Sequence, residues 1–454
     1  MPVQASRAQE AAGTVAAPRR HHLLRQTLLG LVFRGVGVIL AFASQVVVAR
    51  ALGVVEFGTY VTILAWTTLL SLLAGVGLPQ AGIRFFAAYA EARDWASYRG
   101  FMRMAVLAVA ASGIAVGLAA VALFATLPSL RPLLAAMVIG MPLIALFSAS
   151  TLAHAALVAA HRPVRGEIAG NVARSLLVMA MVAAAVRLGA ALDVLTVLVL
   201  TVLAGLLTLS VQSGTWWQAT GRHWRGMSDI GARPVWLASG RAYLISTAAY
   251  ALVERLDTIL LAVLAPPAEV GPYSVAARLA LLVSVALSPI SAIAASSAAQ
   301  LLERGDRPAL QRLMAQTSLM CSGAGAVLAL ALVIATPWLL AVFGSGFVGV
   351  RGLVAVLLLG QVALAVAGPA GGLLAIAGHN RVLIGIMLAT VAVDLTLCLL
   401  LVPPFASEGA AVATMLSLVF NAVALAAAAR LLIGVDTTIL AGVTWLVRYV
   451  LARR

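Results

Sequence analysis

Apolar and polar positions along this chain come in blocks rather than in alternation. Runs of about 20 residues with almost no charge recur from end to end, each long enough to cross a hydrocarbon core of about 30 Å as a helix. Twelve spans can be drawn, at 28–48, 59–79, 103–126, 133–157, 167–186, 194–214, 240–264, 273–299, 317–342, 352–376, 382–402 and 409–433. Lipid offers the backbone no hydrogen bonds, so such runs satisfy themselves as helices. The two-residue alternation of a membrane barrel is absent. The expected fold is an all-α polytopic membrane protein of about twelve transmembrane helices. The stretch Thr437 to Arg454, holding Trp445, Arg448 and Tyr449, is short for a span and is expected on the membrane surface, a thirteenth helix being the alternative.

Composition agrees with this pattern. Of 454 residues, 63% are hydrophobic and 10% charged, too little polar surface to coat a water-soluble globule. The net charge is +15 and all 30 basic residues are arginines. They are not gathered into a soluble basic patch, so no nucleic-acid partner is expected. Only Arg50, Arg131, Arg187 and Arg351 fall in one set of loops; four more lie inside spans, and the other 22 fall in the alternate loops and termini. By the positive-inside rule both termini are then cytoplasmic. The apolar run after Arg7, Arg19, Arg20, His21, His22 and Arg25 is too long for a signal-peptide core and contains Arg34. The N-terminus therefore reads as an uncleaved cytoplasmic tail, with a transit peptide as the weaker alternative. The resulting division is a tail at 1–27, a six-helix bundle at 28–214, a cytoplasmic linker at 215–239, a second six-helix bundle at 240–433 and a cytoplasmic or interfacial tail at 434–454. The longest inward segments, near 80–102 and 215–239, carry Trp95, Trp216, Trp217 and Trp224, which suit interfacial anchors.

The two bundles echo each other. Glu56-Phe57-Gly58-Thr59-Tyr60 follows the first span and Glu269-Val270-Gly271-Pro272-Tyr273 follows the seventh, an E-x-G-x-Y pattern repeated at an offset of 213. Between spans four and five the chain reads Ala160-His161-Arg162-Pro163-Val164, and between spans ten and eleven Gly378-His379-Asn380-Arg381-Val382, the histidines 218 apart. An even number of spans separates the copies, so the repeat is parallel and implies two bundles around a central cavity.

Charges inside spans are costly unless they face a cavity or a partner. Those present are Arg34, Arg174, Glu254, Arg255, Asp257, Arg278 and Asp394. At 100° per residue, Glu254, Arg255 and Asp257 occupy an arc of roughly 160°, opposite Leu252, Leu256, Ile259 and Leu260. Arg255 either neutralises a neighbouring acid or faces a wet cavity. Arg34, Arg174 and Arg278 lie close enough to a span end to reach headgroups, or else line that cavity. Asp394 is deeper and has no local partner; with Glu254 and Asp257 it is a candidate for ion coupling or charge balance. Pro142, Pro289 and Pro369 can kink their helices, and Gly75, Gly77 and Pro79 end the second span.

Enzyme signatures are missing. There is no Walker loop, no H-E-x-x-H and no G-x-S-x-G. His154 is the only histidine inside a span, and Cys321 and Cys398 sit in apolar runs without a CxxC pattern. No catalytic residue, metal or cofactor is expected.

Several segments, in order, resemble the polysaccharide-transport branch of the multidrug/oligosaccharidyl-lipid/polysaccharide (MOP) exporter superfamily, the Wzx-type flippases. They are Ala49-Arg50-Ala51-Leu52-Gly53 with the first E-x-G-x-Y; Gly77-Leu78-Pro79 with Arg84-Phe85; Glu254-Arg255-Leu256-Asp257 with Val270-Gly271-Pro272-Tyr273 and Ala276-Ala277-Arg278-Leu279; and Phe343-Gly344-Ser345-Gly346-Phe347 with Gly378-His379, Pro403 and Gly409-Ala410-Ala411-Val412-Ala413-Thr414. The resemblance implies a bacterial inner-membrane protein that flips undecaprenyl-diphosphate-linked oligosaccharide by alternating access. It places a cationic substrate cavity on Arg34, Arg174, Arg255 and Arg278. Expected partners are the polyprenyl-diphosphate-linked glycan, membrane lipids and other polysaccharide-assembly membrane proteins. The alternatives are a cation-coupled multidrug exporter or a lipid II flippase of the same superfamily.

Overall fold

The computed structural model describes residues 20–221 and 224–451; the side chains of residues 20–32, Arg34, Ser345 and 447–450 also lie outside the described residues. The expected N-terminal tail, 1–27, therefore falls largely outside them. The helices are α1 (Arg20–Ala74), α2 (Leu78–Glu91), α3 (Trp95–Thr126), α4 (Leu134–Gly140), α5 (Pro142–Ala159), α6 (Pro163–Glu167), α7 (Ala173–Arg187), α8 (Val194–Thr220), α9 (Arg233–Leu264), α10 (Pro267–Glu303), α11 (Arg307–Phe343), α12 (Arg351–Ala367), α13 (Ala370–Ile376), α14 (Asn380–Leu432) and α15 (Ile439–Leu451). No strand occurs among the described residues.

Nine described helices are long and apolar enough to cross a membrane. Two of them are double: α1 breaks at Gly53 (φ 76°) and α14 at Ala406 (φ 46°), each joining two antiparallel spans with almost no loop. With each break separating two spans, and with α9, whose charges keep it outside the nine, twelve spans result. Gly53 suits its break because only glycine enters the left-handed region without strain; Ala406 follows Pro403 and Pro404, which cannot continue the helix ladder.

In the N-terminal bundle α5 packs against α2, α3 and α8, and α1 against α5 and α7. In the C-terminal bundle α12 packs against α10, α11 and α14, and α9 against α14. The bundles meet where α1 lies on α9 and α10 and where α2 lies on α9.

The segment near 80–102 is mostly helix rather than loop. Span two turns through Gly77 (φ 66°) and continues as α2. This helix and the linker fold over the arginine-rich end and bury aromatic residues there. Trp216 is buried and donates to the Tyr98 hydroxyl at 3.1 Å; Trp236 donates to Tyr89 at 2.8 Å. Trp216 is thus a core residue, and Trp224 packs edge-on against both Trp216 and the exposed Trp217. Pro142 and Pro369 stand at helix breaks, whereas Pro289 lies inside continuous α10. At 13 residues α15 is about 20 Å long, short of the hydrocarbon core, and it packs on α11.

Candidate substrate cavity

The repeat motifs meet at the arginine-poor end. A Cβ on Gly58 would come 1.9 Å from the Pro267 carbonyl oxygen, and one on Gly271 would come 2.8 Å from that of Val54. Val54 and Pro267 are themselves 213 apart, so the contact is two-fold symmetric: each bundle presses its glycine on the other's backbone. Edge-to-face rings flank this seal, Phe42 on Phe343 at 5.2 Å and Phe57 on Phe347 at 5.8 Å. Arg50 Nε donates across the bundles to the Val342 carbonyl at 2.6 Å. Beneath it, Tyr60 bonds Thr201 at 3.2 Å and Tyr273 bonds Thr414 at 3.0 Å, with the same separation of 141 residues in each half.

Under the seal lies a cavity of about 710 Å³, walled by both bundles. Arg174, Arg255 and Arg278 line it, each half-buried. The Arg174 guanidinium sits over the Phe147 ring at 4.8 Å and reaches Asn171 Oδ1 at 3.4 Å. Arg278 feels Arg255 and Arg174 as neighbouring like charges and has the Tyr60 hydroxyl nearby. No ion pair to any of the three arginines occurs among the described residues. The backbone of Arg34 lies in α1; its side chain lies outside the described residues.

Glu254 and Asp257 also line the cavity. Residues one and two apart on a helix do not face each other, which is why Arg255 forms no ion pair with either. Glu254 is exposed, while Asp257 is buried and accepts from Tyr273 Oη at 2.6 Å and the Thr258 amide at 2.5 Å. Asp394 is 4% exposed, behind the cavity wall and within electrostatic range of Asp257; its Oδ1 has no hydrogen-bond partner among the described residues.

The structure adds residues that the sequence reading passed over. Tyr60 and Tyr273 were visible as the last letter of the repeat and Thr414 as the end of the Gly409–Thr414 motif, but Thr201 lies in a featureless apolar run. Glu167, Asn171, His154 and Asn421 also line the cavity, as polar breaks in apolar helices.

Two six-helix bundles related by a parallel repeat enclose a charged cavity and press glycine on backbone at the arginine-poor end, through Gly58 and Gly271, and at the arginine-rich end, through Gly77 and Gly240; this is a multi-pass membrane transporter fold. The chain belongs to the polysaccharide biosynthesis protein family, whose model matches residues 23–295. No curated protein matches the sequence. Among solved structures, the chain is similar to the lipid II flippase MurJ in an inward closed conformation (TM-score 0.70, 11% identity, covering 89% of this chain and 87% of that one). It is also similar to an inward-facing MATE-family multidrug resistance transporter of the MOP superfamily (TM-score 0.67, 12% identity, 88% and 92% covered). A third is a MOP superfamily transporter from Pyrococcus furiosus, described as having a binding pocket of reverse polarity (TM-score 0.53, 13% identity, 87% and 93% covered). At these identities the likeness establishes the fold, that of the MOP superfamily.

Proposed function

We propose that this protein flips polyprenyl-diphosphate-linked oligosaccharide across the bacterial cytoplasmic membrane for surface polysaccharide assembly. One observation carries the reading: Arg174, Arg255 and Arg278 face one inter-bundle cavity without forming an ion pair among the described residues, although Glu167 lies within electrostatic range of Arg174 and Asp257 of Arg255. Clustered cations at membrane depth cost several kcal/mol unless an anion arrives to meet them. Arginine suits a diphosphate because its planar fork gives paired hydrogen bonds and stays charged when partly dehydrated. Arg34, whose backbone lies in α1, is the fourth cation proposed for the route.

The arginine asymmetry favours cytoplasmic termini, and the headgroup then enters the cavity from the arginine-rich side. Rocking of the bundles then parts Gly58 from Gly271 and releases the headgroup outward, with no bond in the substrate made or broken. Asp257 and Asp394, both in the C-terminal bundle, are the groups whose neutralisation by a proton or sodium ion couples that motion to an ion gradient. Neighbouring polysaccharide-assembly membrane proteins supply and receive the glycan.

A second reading, a cation-coupled drug exporter, is favoured by Glu167, Glu254 and Asp257 on the same cavity wall. Complementation of a flippase-null bacterium separates the two. Wild type is expected to restore surface polysaccharide, and the double variant Arg255→Ala/Arg278→Ala to lose it. Full polysaccharide from that variant would sink the reading. A deletion that accumulates a cationic dye while its glycan is intact would favour the exporter, and lost cell-wall synthesis would favour a lipid II substrate.

A further inference from the structure

The cavity wall changes character along its length. Toward the seal it presents guanidinium groups. Toward the arginine-rich end it presents a polar ladder on span five, where Asn171 Nδ2 donates to Glu167 Oε1 at 2.8 Å and Asn171 Oδ1 accepts from Arg174. Glu167 lies seven residues from Arg174, about 10 Å along the axis.

Local backbone architecture builds this ladder. Residues Ile168–Val172 form a π-helical turn between α6 and α7. Such turns carry one extra residue, cost stability and gather at functional sites. Two glycines let neighbouring helices close on the turn. A Cβ on Gly166 would lie 2.7 Å from His154 Nδ1, and one on Gly170 would lie 2.5 Å from Gln212 Nε2. Gln212 is 1% exposed; its Oε1 accepts from Ser150 at 2.7 Å and its Nε2 reaches the Gly166 carbonyl at 3.5 Å, tying spans four, five and six together. Across the cavity Asn421 lines the wall with a buried Oδ1 that has no partner among the described residues. Tyr250 adds a ring to the same cavity.

We infer that Glu167, Asn171, His154 and Asn421 form a carbohydrate subsite, distinct from the arginines, that reads the first sugars of the headgroup. Sugars offer vicinal hydroxyls, each a donor and an acceptor, and a carboxylate, an amide and an imidazole meet both needs. An aromatic ring matches the apolar face of a pyranose. The placement lets the diphosphate sit on Arg174, Arg255 and Arg278 while the glycan points toward the arginine-rich end. The inference rests on the flippase reading above.

The test uses full-length protein in nanodiscs and two fluorescent probes, undecaprenyl diphosphate and the same lipid carrying one N-acetylhexosamine. Wild type is expected to bind the sugar-bearing probe more tightly. Asn421→Ala and His154→Ala are each expected to weaken that probe about five- to tenfold, the loss of one or two hydrogen bonds, and to leave the bare lipid within about twofold. Thermal unfolding of each variant reports that it is folded. Equal binding of the two probes by wild type, or equal losses for both probes in the variants, would overturn the subsite. Failure of the flippase reading looks different: neither probe responds to Arg278→Ala.

Discussion

Tyr60 in the N-terminal bundle and Tyr273 in the C-terminal bundle hold the same place in the repeat, and each bonds a threonine 141 residues on. Only Tyr273 also donates to a carboxylate, Asp257. At the repeat offset, the counterpart of Asp257 is Ser44 and that of Arg278 is Ala65; all four line the cavity. The halves therefore share a frame and differ in chemistry. What the repeat preserves is mechanical: the glycine seal, the tyrosine–threonine bonds and the helix caps. What breaks the repeat is the charge, carried into the cavity by the C-terminal bundle and by Arg174. A carrier needs both, a symmetric frame that can rock and an asymmetric surface that holds one kind of headgroup.

The seal is where breaking the symmetry should cost most. Gly58→Val and Gly271→Val place side chains against backbone carbonyls that cannot swing aside, disfavouring the sealed state by about 1–3 kcal/mol or more. Flipping in proteoliposomes is expected to fall about ten- to hundredfold for both, with Gly58→Val the worse. Cysteine labelling from the arginine-poor side is expected to rise. Unchanged flipping in both would show that the seal is not used.

Next comes the charge asymmetry. Arg278→Ala is expected to slow flipping of a polyprenyl diphosphate about tenfold or more, the worth of a charge-assisted hydrogen bond. Adding Ala65→Arg moves the guanidinium to the mirrored wall, and recovery of part of the rate would show that charge matters more than its address.

The tyrosines sharpen the comparison further. Tyr273→Phe removes a donor from a buried carboxylate and is expected to cost about 2 kcal/mol, against about 1 kcal/mol for Tyr60→Phe. Thermal unfolding in detergent measures both, and equal losses would contradict the assigned role of Asp257.

The smallest effect is a symmetric control. Asp94 and Asp306, 212 apart, cap α3 and α11 through the amides of Ser97 and Ala309. Each changed to Ala is expected to cost about 1 kcal/mol. Asp94's carboxyl is held below its usual value, chiefly by Ser97. A depressed folded value gives stability that is full above about pH 4 and fades as pH falls through it. Acid unfolding of Asp94→Ala is expected to lose that last slope.

Much of this frame was legible. The apolar runs fall on helices, and hydropathy and length alone identify all of them but α9, whose charges lower its hydropathy. The E-x-G-x-Y repeat was legible as the mark of two parallel bundles, but that its glycines meet across them was not, because the contact is a tertiary event. Other features were not legible. Ile168–Val172 reads as ordinary apolar helix, because a π turn leaves no periodicity signal in five residues. Trp216 looked like a membrane anchor, because the folding of α2 and the linker over it is a tertiary event. The direction of each arginine could not be read either, since lipid-facing and cavity-facing arginines look alike in sequence.

The central claim is that Arg174, Arg255 and Arg278 together receive a diphosphate. The direct measurement is equilibrium binding of sugar-free undecaprenyl diphosphate to wild type and to the triple variant Arg174→Gln/Arg255→Gln/Arg278→Gln, both verified as folded. The account predicts an affinity at least about a hundredfold weaker in the triple variant. Affinities within about twofold of each other would contradict it.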